Sequence, residues 1–140
     1  MAGYSGTPLA KKLGFKEGLR VGFVNPPKGF QKELGSLPAG IKVSGARLSK
    51  PLDLILFFAD SQQMLKREFP KLTQKLATNG MLWIAWPKKA SGVATNLSDN
   101  AVRKIGLDAG LVDVKVCAVN DIWSGLKFVY RLEDRKSRPG

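Results

Sequence analysis

The chain has 140 residues, a formal net charge of +12, no histidine and one cysteine. This length fits a single domain with one hydrophobic core. Within this chain, the missing histidine excludes a Ser-His-Asp triad and an imidazole metal site, and the lone cysteine excludes an internal disulfide and a thiolate zinc site. Acid–base chemistry would therefore fall to carboxylates, lysines or tyrosines.

The sequence indicates a cytoplasmic protein of bacterial style. No apolar run approaches the roughly 20 residues that span a bilayer. The first residues, MAGYSGTPLAKKLG, hold no apolar signal core. The single Cys117 fits a reducing compartment. We therefore expect no membrane span and a cytoplasmic location.

The first third of the chain predicts two short helices and two strands. In order, they are a helix from Thr7-Pro8 to Gly14, a strand at 20–25, helical turns at 28–34 that end at Gly35, and a weak strand at 41–48. A hydroxyl followed by proline is typical of a helix start, and glycine is typical of a helix end.

The most apolar segment is LDLILFFA at 52–59. It is apolar on both faces, which is typical of a central parallel strand covered by helices. Residues 61–78 predict a helix, because apolar residues recur at helical spacing from Leu65 to Leu76. Pro70 lies inside this segment, so we expect it to kink or divide the helix.

After a turn at Asn79-Gly80, the chain predicts three strands and one helix. They are a strand at 81–86, a helix from Ser98 to 109, and strands at 112–119 and 126–131. A long loop at 87–96 joins the first of these strands to the helix. This alternation predicts an α/β, three-layer, Rossmann-like sandwich with a mostly parallel sheet of about six strands and an antiparallel C-terminal strand. We expect one Rossmann-like domain at 1–132 and a charged disordered tail at 133–140.

The segment from 53 to 131 resembles the S-adenosylmethionine-dependent methyltransferases. Their fourth strand, helix, glycine turn and fifth strand are similar to DLILFFADSQQMLKREFPKLTQKLATNGMLWIAWPK, and their closing strand pair is similar to VDVKVCAVNDIWSGLKFVYR. Over nearly its full length, from AGYSGTPLAKKLG through WPKKASGVAT to WSGLKFV, the chain also resembles a small bacterial domain-of-unknown-function family. Both resemblances imply a methyltransferase-like Rossmann fold, and the second carries no activity with it.

The methyltransferase resemblance implies a glycine-rich cofactor loop after the first strand and a carboxylate after the second. The loop position holds NPPKG at 25–29, and its two prolines offer no N–H groups to a ligand. After the second strand the chain has Ser49-Lys50-Pro51 and no acid. In amino-methyltransferases Asn-Pro-Pro follows the fourth strand and precedes an aromatic residue, whereas here it precedes Lys28. We interpret these letters as a rigid turn and predict no cofactor, with S-adenosylmethionine as the alternative.

Ligands of open α/β sheets bind at the carboxyl ends of the parallel strands. The predicted topology collects lysine, aromatic and polar side chains there, and the ligand-binding candidates are Asn25, Lys28, Gly29, Asp60, Ser61, Trp86, Lys88, Lys89, Trp123 and Ser124. Lysines can neutralise phosphate and an indole can stack on a base. Each candidate also has a structural interpretation: packing for the tryptophans, a solvated pair for Lys88-Lys89, and a helix cap for Asp60.

Three functions fit these observations. We favour a small cytoplasmic binding or regulatory module without catalysis, whose basic edge binds an anionic small molecule, a nucleotide or a protein partner. The first alternative is a methyltransferase with an atypical cofactor loop. The second is a nucleic-acid accessory protein that uses its basic surface, with a footprint that includes Lys88-Lys89.

Overall fold

The structure is a computed structural model that describes residues 8–44 and 51–137. Its elements are α1 (Leu9–Leu13), β1 (Arg20–Val24), α2 (Phe30–Leu34), β2 (Lys42–Ser44), β3 (Leu52–Phe58), α3 (Gln62–Lys75), β4 (Leu76–Pro87), α4 (Asp99–Asp108), β5 (Leu111–Ala118), β6 (Trp123–Tyr130) and α5 (Leu132–Ser137). A short 3-10 turn, Lys89–Ser91, lies between β4 and α4. The predictions for Thr7, for the end of the weak strand beyond Ser44 and for Ser49-Lys50 fall outside the described residues.

The strands form one six-stranded sheet in the order β2-β1-β3-β4-β6-β5. β1 pairs in parallel with β2 and β3, and β3 pairs in parallel with β4. β6 is antiparallel to both of its neighbours, so β5 runs in the same direction as β4. The predicted α/β, mostly parallel, Rossmann-like architecture is confirmed.

Both faces of the sheet are covered, which makes the three layers. The side chains of Ile55 and Phe57 enter a core with α3 and α4, whereas Leu56 and Phe58 enter a second core with α1 and α2. This alternation follows from the period of two along a strand. It explains why β3 is apolar on both faces.

The local end signals of three helices agree with the sequence. Gly14 ends α1 in the left-handed conformation, with φ 93°, and Gly35 ends α2. Ser98 caps α4, because its hydroxyl accepts a hydrogen bond from the Ala101 N–H over 3.2 Å. Such caps satisfy backbone groups that the first and last turns leave unpaired.

α3 differs from its prediction, since it is one helix that contains Pro70 and ends at Lys75 rather than at 78. Pro70 is exposed, so water can satisfy the carbonyl that loses its helical partner. The helix ends early because Leu76 turns to extended geometry and pairs with Leu52 of β3. The predicted turn at Asn79-Gly80 becomes an irregularity within β4.

The C-terminal segment also differs from its prediction. α5 occupies Leu132–Ser137, where we expected a disordered tail from 133. Glu133 and Asp134 lie in its first turn, and negative charge there is favourable next to the positive end of the helix dipole. No helix in the described ranges is long and apolar enough to cross a membrane.

Candidate functional site

The turn after β1 is fixed by its own side chains. Asn25 has φ 55°, a left-handed conformation that asparagine tolerates better than most residues. Its Nδ2 donates a hydrogen bond to the Phe58 carbonyl oxygen over 2.9 Å. Pro26-Pro27 follows, and the Phe30 N–H donates to the Pro27 carbonyl over 3.1 Å. The turn is therefore tied to the end of β3 before α2 begins.

Two backbone groups of this turn remain open to a ligand. The N–H groups of Lys28 and Gly29 donate to no acceptor within the described part of the chain. Gly29 has φ 82°, and no atom beyond its two chain neighbours lies within 4 Å of the position that a Cβ would take. Both residues are exposed. A ligand can therefore approach this backbone closely, although it finds fewer N–H groups than a glycine-rich loop presents.

At the end of β3, the helix cap is Ser61 and not Asp60. The Ser61 hydroxyl accepts a hydrogen bond from the Met64 N–H over 3.1 Å. The Asp60 carbonyl accepts one from the Thr95 hydroxyl over 2.7 Å. The Asp60 carboxylate is exposed, and no described group bonds to it. The capping interpretation of Asp60 is wrong, and its carboxylate is available at the sheet edge.

The long loop after β4 is held in place over this edge. Asn96 uses its side-chain oxygen to accept a hydrogen bond from the Gln62 N–H, and its carbonyl accepts one from the Gln62 side chain, both over 2.8 Å. The Lys88 N–H donates to the Ile122 carbonyl over 2.7 Å, which joins the loop to the β5–β6 turn. The Lys89 side chain is exposed and the Lys88 side chain is half-buried.

The two tryptophans lie on opposite faces of the sheet. Trp86 is buried in the core under α3 and α4. Trp123 is half-buried on the side of α1 and α2, and its ring stands edge-to-face against Phe58, with centroids 5.0 Å apart. The register explains this, because Trp123 is opposite Pro87, one residue beyond Trp86. The two indoles therefore do not form one stacking surface, and Ser124 is opposite Trp86 in the ladder.

Two residues that shape this edge, Asn120 and Glu33, are not among the predicted ligand-binding candidates. Asn120 accepts hydrogen bonds from the N–H groups of Ile122 and Trp123, each over 2.9 Å. Its Nδ2 donates to the Glu33 carboxylate over 2.7 Å, across from α2. Asn120-Asp121 is a recognisable turn signal, but nothing in the sequence pairs it with a residue 87 positions away. No group of three or more His, Cys, Asp or Glu side chains that could hold a metal occurs in the described ranges.

A cavity of about 600 Å³ lies away from the candidate edge. It is lined by α1 and the loop after it, and by the segment 36–38 that precedes β2. Since these segments come just before strands, the cavity lies near the amino ends of β1 and β2. None of the predicted ligand-binding residues lines it.

Comparison with known proteins places the fold among the methyltransferases. A S-adenosylmethionine-dependent methyltransferase from Aquifex aeolicus matches 86% of this chain and 86% of its own, with a TM-score of 0.60 and 16% identity. The magnesium protoporphyrin IX methyltransferase from Synechocystis PCC 6803, solved with bound S-adenosylmethionine, matches 88% of this chain and 74% of its own, with a TM-score of 0.60 and 11% identity. Fibrillarin from Aeropyrum pernix, solved with natively bound S-adenosylmethionine, matches 91% and 70%, with a TM-score of 0.56 and 14% identity.

No protein-family model matches the chain, and the search of curated proteins found no match. The solved structures support the methyltransferase-like fold and give no support for the resemblance to a domain-of-unknown-function family. At these identities the likeness establishes the fold alone. The chain thus has a methyltransferase-like Rossmann fold, and its activity must be argued from the site.

Proposed function

We propose that the chain binds S-adenosylmethionine at the carboxyl ends of β1 and β3, as a methyltransferase with an atypical cofactor loop. The shared fold carries this proposal, since two of the similar structures hold this cofactor. The sheet order places the ends of β1 and β3 side by side, where open α/β sheets bind their ligands. This reverses our preference from sequence, which was a module without catalysis.

Three residues at this edge suit different parts of the cofactor. The open N–H groups of Lys28 and Gly29 suit its carboxylate, and the Lys28 ammonium adds positive charge there. The Asp60 carboxylate suits the hydroxyl or amino donors of the adenosine portion. When bound, the cofactor supplies an electrophilic methyl group. The chain itself supplies orientation and charge.

The sequence of the loop after β1 also predicts modest affinity for S-adenosylmethionine. Pro26 and Pro27 present no N–H groups, and the sequence contains no Asp or Glu between Glu33 and Asp53. The usual carboxylate after the second strand is therefore missing, and Asp60 must serve the ribose or the adenine. We expect binding in the micromolar range rather than tighter.

Isothermal titration calorimetry with S-adenosylmethionine tests the proposal. We expect saturable binding to one site, weakened by about tenfold or more in Asp60→Asn, because a charge-assisted hydrogen bond is lost. Asp108→Asn is the matched control, since Asp108 is an exposed carboxylate at the end of α4. The absence of heat at millimolar cofactor, with the protein folded, would contradict the proposal.

Two observations favour a second candidate, the binding module without catalysis. The Asn25 amide is already engaged with the Phe58 carbonyl, and two prolines occupy the cofactor-loop position. Such an edge could bind a simpler anion or a nucleotide through Lys28, Lys88 and Lys89. A titration followed by amide chemical shifts distinguishes the two candidates. The binding module requires that the amide resonances near Gly29 change on addition of a nucleotide and stay unchanged on addition of S-adenosylmethionine.

A further inference from the structure

Three lysines lie together beside the C-terminal end of α1, on a different part of the molecule from the proposed cofactor edge. Lys115 and Lys127 are opposite each other in the β5–β6 ladder, and Lys127 is in turn opposite Trp83 of β4. The Lys115 Nζ donates to the Lys12 carbonyl over 3.3 Å. Lys16 follows α1 in the loop before β1. We call Lys16, Lys115 and Lys127 the basic patch.

The other two lysines of the basic patch act on the Lys127 ammonium group. Burial lowers the pKa of the half-buried Lys127 ammonium, and the positive charges of Lys115 and Lys16 lower it further. This effect agrees with the ladder pairing of Lys115 with Lys127 and with the hydrogen bond from Lys115 to the end of α1, which together bring the three lysines into one neighbourhood. Like charges held together in this way are unfavourable unless a counter-charge joins them.

No salt bridge in the described part of the chain uses a lysine of the basic patch. The salt bridges there use other cations, namely Arg20, Arg67, Lys71, Arg103 and Lys104. Glu17 is adjacent to Lys16 in the sequence and lines the same cavity, but it forms no salt bridge with a described lysine of the basic patch. A local excess of positive charge on a protein of net charge +12 attracts polyanions.

We propose that the basic patch of Lys16, Lys115 and Lys127 binds the phosphate backbone of a nucleic acid. This inference does not depend on cofactor binding, because the patch lies on the α1 face of β5 and β6. The expected nucleic-acid footprint therefore includes these three lysines rather than Lys88-Lys89.

The surroundings of the basic patch favour a nucleic acid over a lipid surface. Membrane binding gains much of its energy from apolar side chains inserted next to the cations. The exposed Val116 is opposite Leu126, which is buried in the core under α3 and α4, so Val116 points to the other face of the sheet. Of the two exposed valines that flank Lys115, only Val114 can therefore lie beside the lysines, which is less apolar surface than membrane insertion uses.

The same surroundings indicate that the basic patch contacts the phosphate backbone of the nucleic acid rather than its bases. Trp83, which is opposite Lys127, and Phe15, which precedes Lys16, are 0% and 4% exposed, so neither ring can stack on a base. Phosphate contacts position a nucleic acid without reading its sequence. We expect binding that depends on salt and tolerates any sequence.

Fluorescence anisotropy with a labelled DNA duplex tests the proposal. Each neutralised phosphate contributes about −0.9 to the slope of log affinity against log salt. The variant Lys16→Gln/Lys115→Gln changes two exposed lysines, and we expect it to lose about tenfold in affinity at low salt and to flatten the slope by about 2. Adding Lys127→Gln should weaken binding further.

Lys66→Gln/Lys71→Gln is the matched control, since it removes the same charge from the exposed face of α3. The control should keep both the affinity and the slope of the wild type to within about twofold. Equal losses in the two variants would show that only net charge matters and would overturn the proposal. A larger loss in Lys88→Gln/Lys89→Gln, or binding to phosphatidylserine vesicles without binding to the duplex, would also overturn it. Thermal unfolding of each variant verifies that it is folded.

Discussion

The Asn25 side chain donates a 2.9 Å hydrogen bond to the carbonyl oxygen of Phe58, joining the end of β1 to the end of β3. These two residues are 33 positions apart. The bond lies between the carboxyl ends of two neighbouring parallel strands, which is where open α/β sheets bind their ligands. A ligand at this edge therefore meets a fixed turn, and the stability of that turn can be measured directly.

We expect Asn25→Ala to destabilise the chain by about 1–3 kcal/mol, because it loses the hydrogen bond and also leaves alanine in a left-handed conformation. Asn25→Gly is the control, since glycine adopts φ 55° without strain and loses only the hydrogen bond. Urea unfolding should show that the alanine variant is less stable by about 1 kcal/mol. Equal stability of the two variants would mean that the left-handed turn carries no strain.

Gly106 of α4 is required by the aromatic ring beneath it. A Cβ at this position would lie 2.1 Å from the Phe128 ring, and Phe128 is fully buried against Phe69. Alanine usually stabilises a helix by about 1 kcal/mol relative to glycine. Here we expect Gly106→Ala to destabilise by about 1–3 kcal/mol, because the packed ring cannot move aside.

A double-mutant cycle by urea unfolding checks this prediction for α4. In a Phe128→Leu background the clash is relieved, so the cost of Gly106→Ala should shrink or change sign. A stabilising Gly106→Ala in the otherwise unchanged chain would show that the contact between α4 and β6 is looser than described.

The half-buried Lys127 predicts a pH-dependent stability. Its pKa in the folded chain lies below the ordinary value of 10.5, owing first to burial and then to Lys115 and Lys16. Between the two pKa values the unfolded chain binds more protons, so the free energy of unfolding rises with pH in that window. At neutral pH the folded chain carries the full cost of the charge. Lys127→Met removes that cost.

Urea unfolding of Lys127→Met should therefore show higher stability than the wild type near neutral pH. The difference should narrow as the pH approaches 10.5, where the wild-type lysine loses its charge in both states. Lys66→Met, on the exposed face of α3, should show no such trend. A difference that stays constant across this pH range would contradict the assigned environment of Lys127.

The sequence predicted the parts of this fold that depend on local signals. Two-sided burial accounts for the apolar run from Leu54 to Phe58 in β3, and Gly14 and Ser98 mark helix ends by their own conformational preferences. The alternation of elements then restricted the topology to a few arrangements. These features need no knowledge of which distant residues meet.

The candidate site depends on contacts that the sequence leaves open. Side chains alternate between the two faces along a strand, so a shift of one residue in the pairing of β4 with β6 would put Trp86 and Trp123 on the same face. Asp60 and Ser61 are both good caps, and only the start of α3 selects between them. The meeting of Lys16 with Lys127 results from the sheet order.

Trp83 connects α1 to the centre of the sheet. Its ring is fully buried, and its Nε1 donates a 2.8 Å hydrogen bond to the Leu13 carbonyl at the end of α1. α1 has five residues, too few to be stable without tertiary contacts. We expect Trp83→Phe to destabilise the chain by about 1–3 kcal/mol from the unpaired buried carbonyl, with a further cost for lost ring volume.

Trp86→Phe is the matched control, because it removes the same ring volume from a buried tryptophan that makes no hydrogen bond to the α1 backbone. Hydrogen exchange separates the two effects: Trp83→Phe should speed exchange at the α1 amides relative to those of β3, whereas Trp86→Phe should leave their ratio unchanged. If both variants lose the same stability and α1 keeps its protection in Trp83→Phe, then packing rather than this hydrogen bond holds α1. In that case the Trp83 hydrogen bond would not be what holds the end of α1 next to the basic patch.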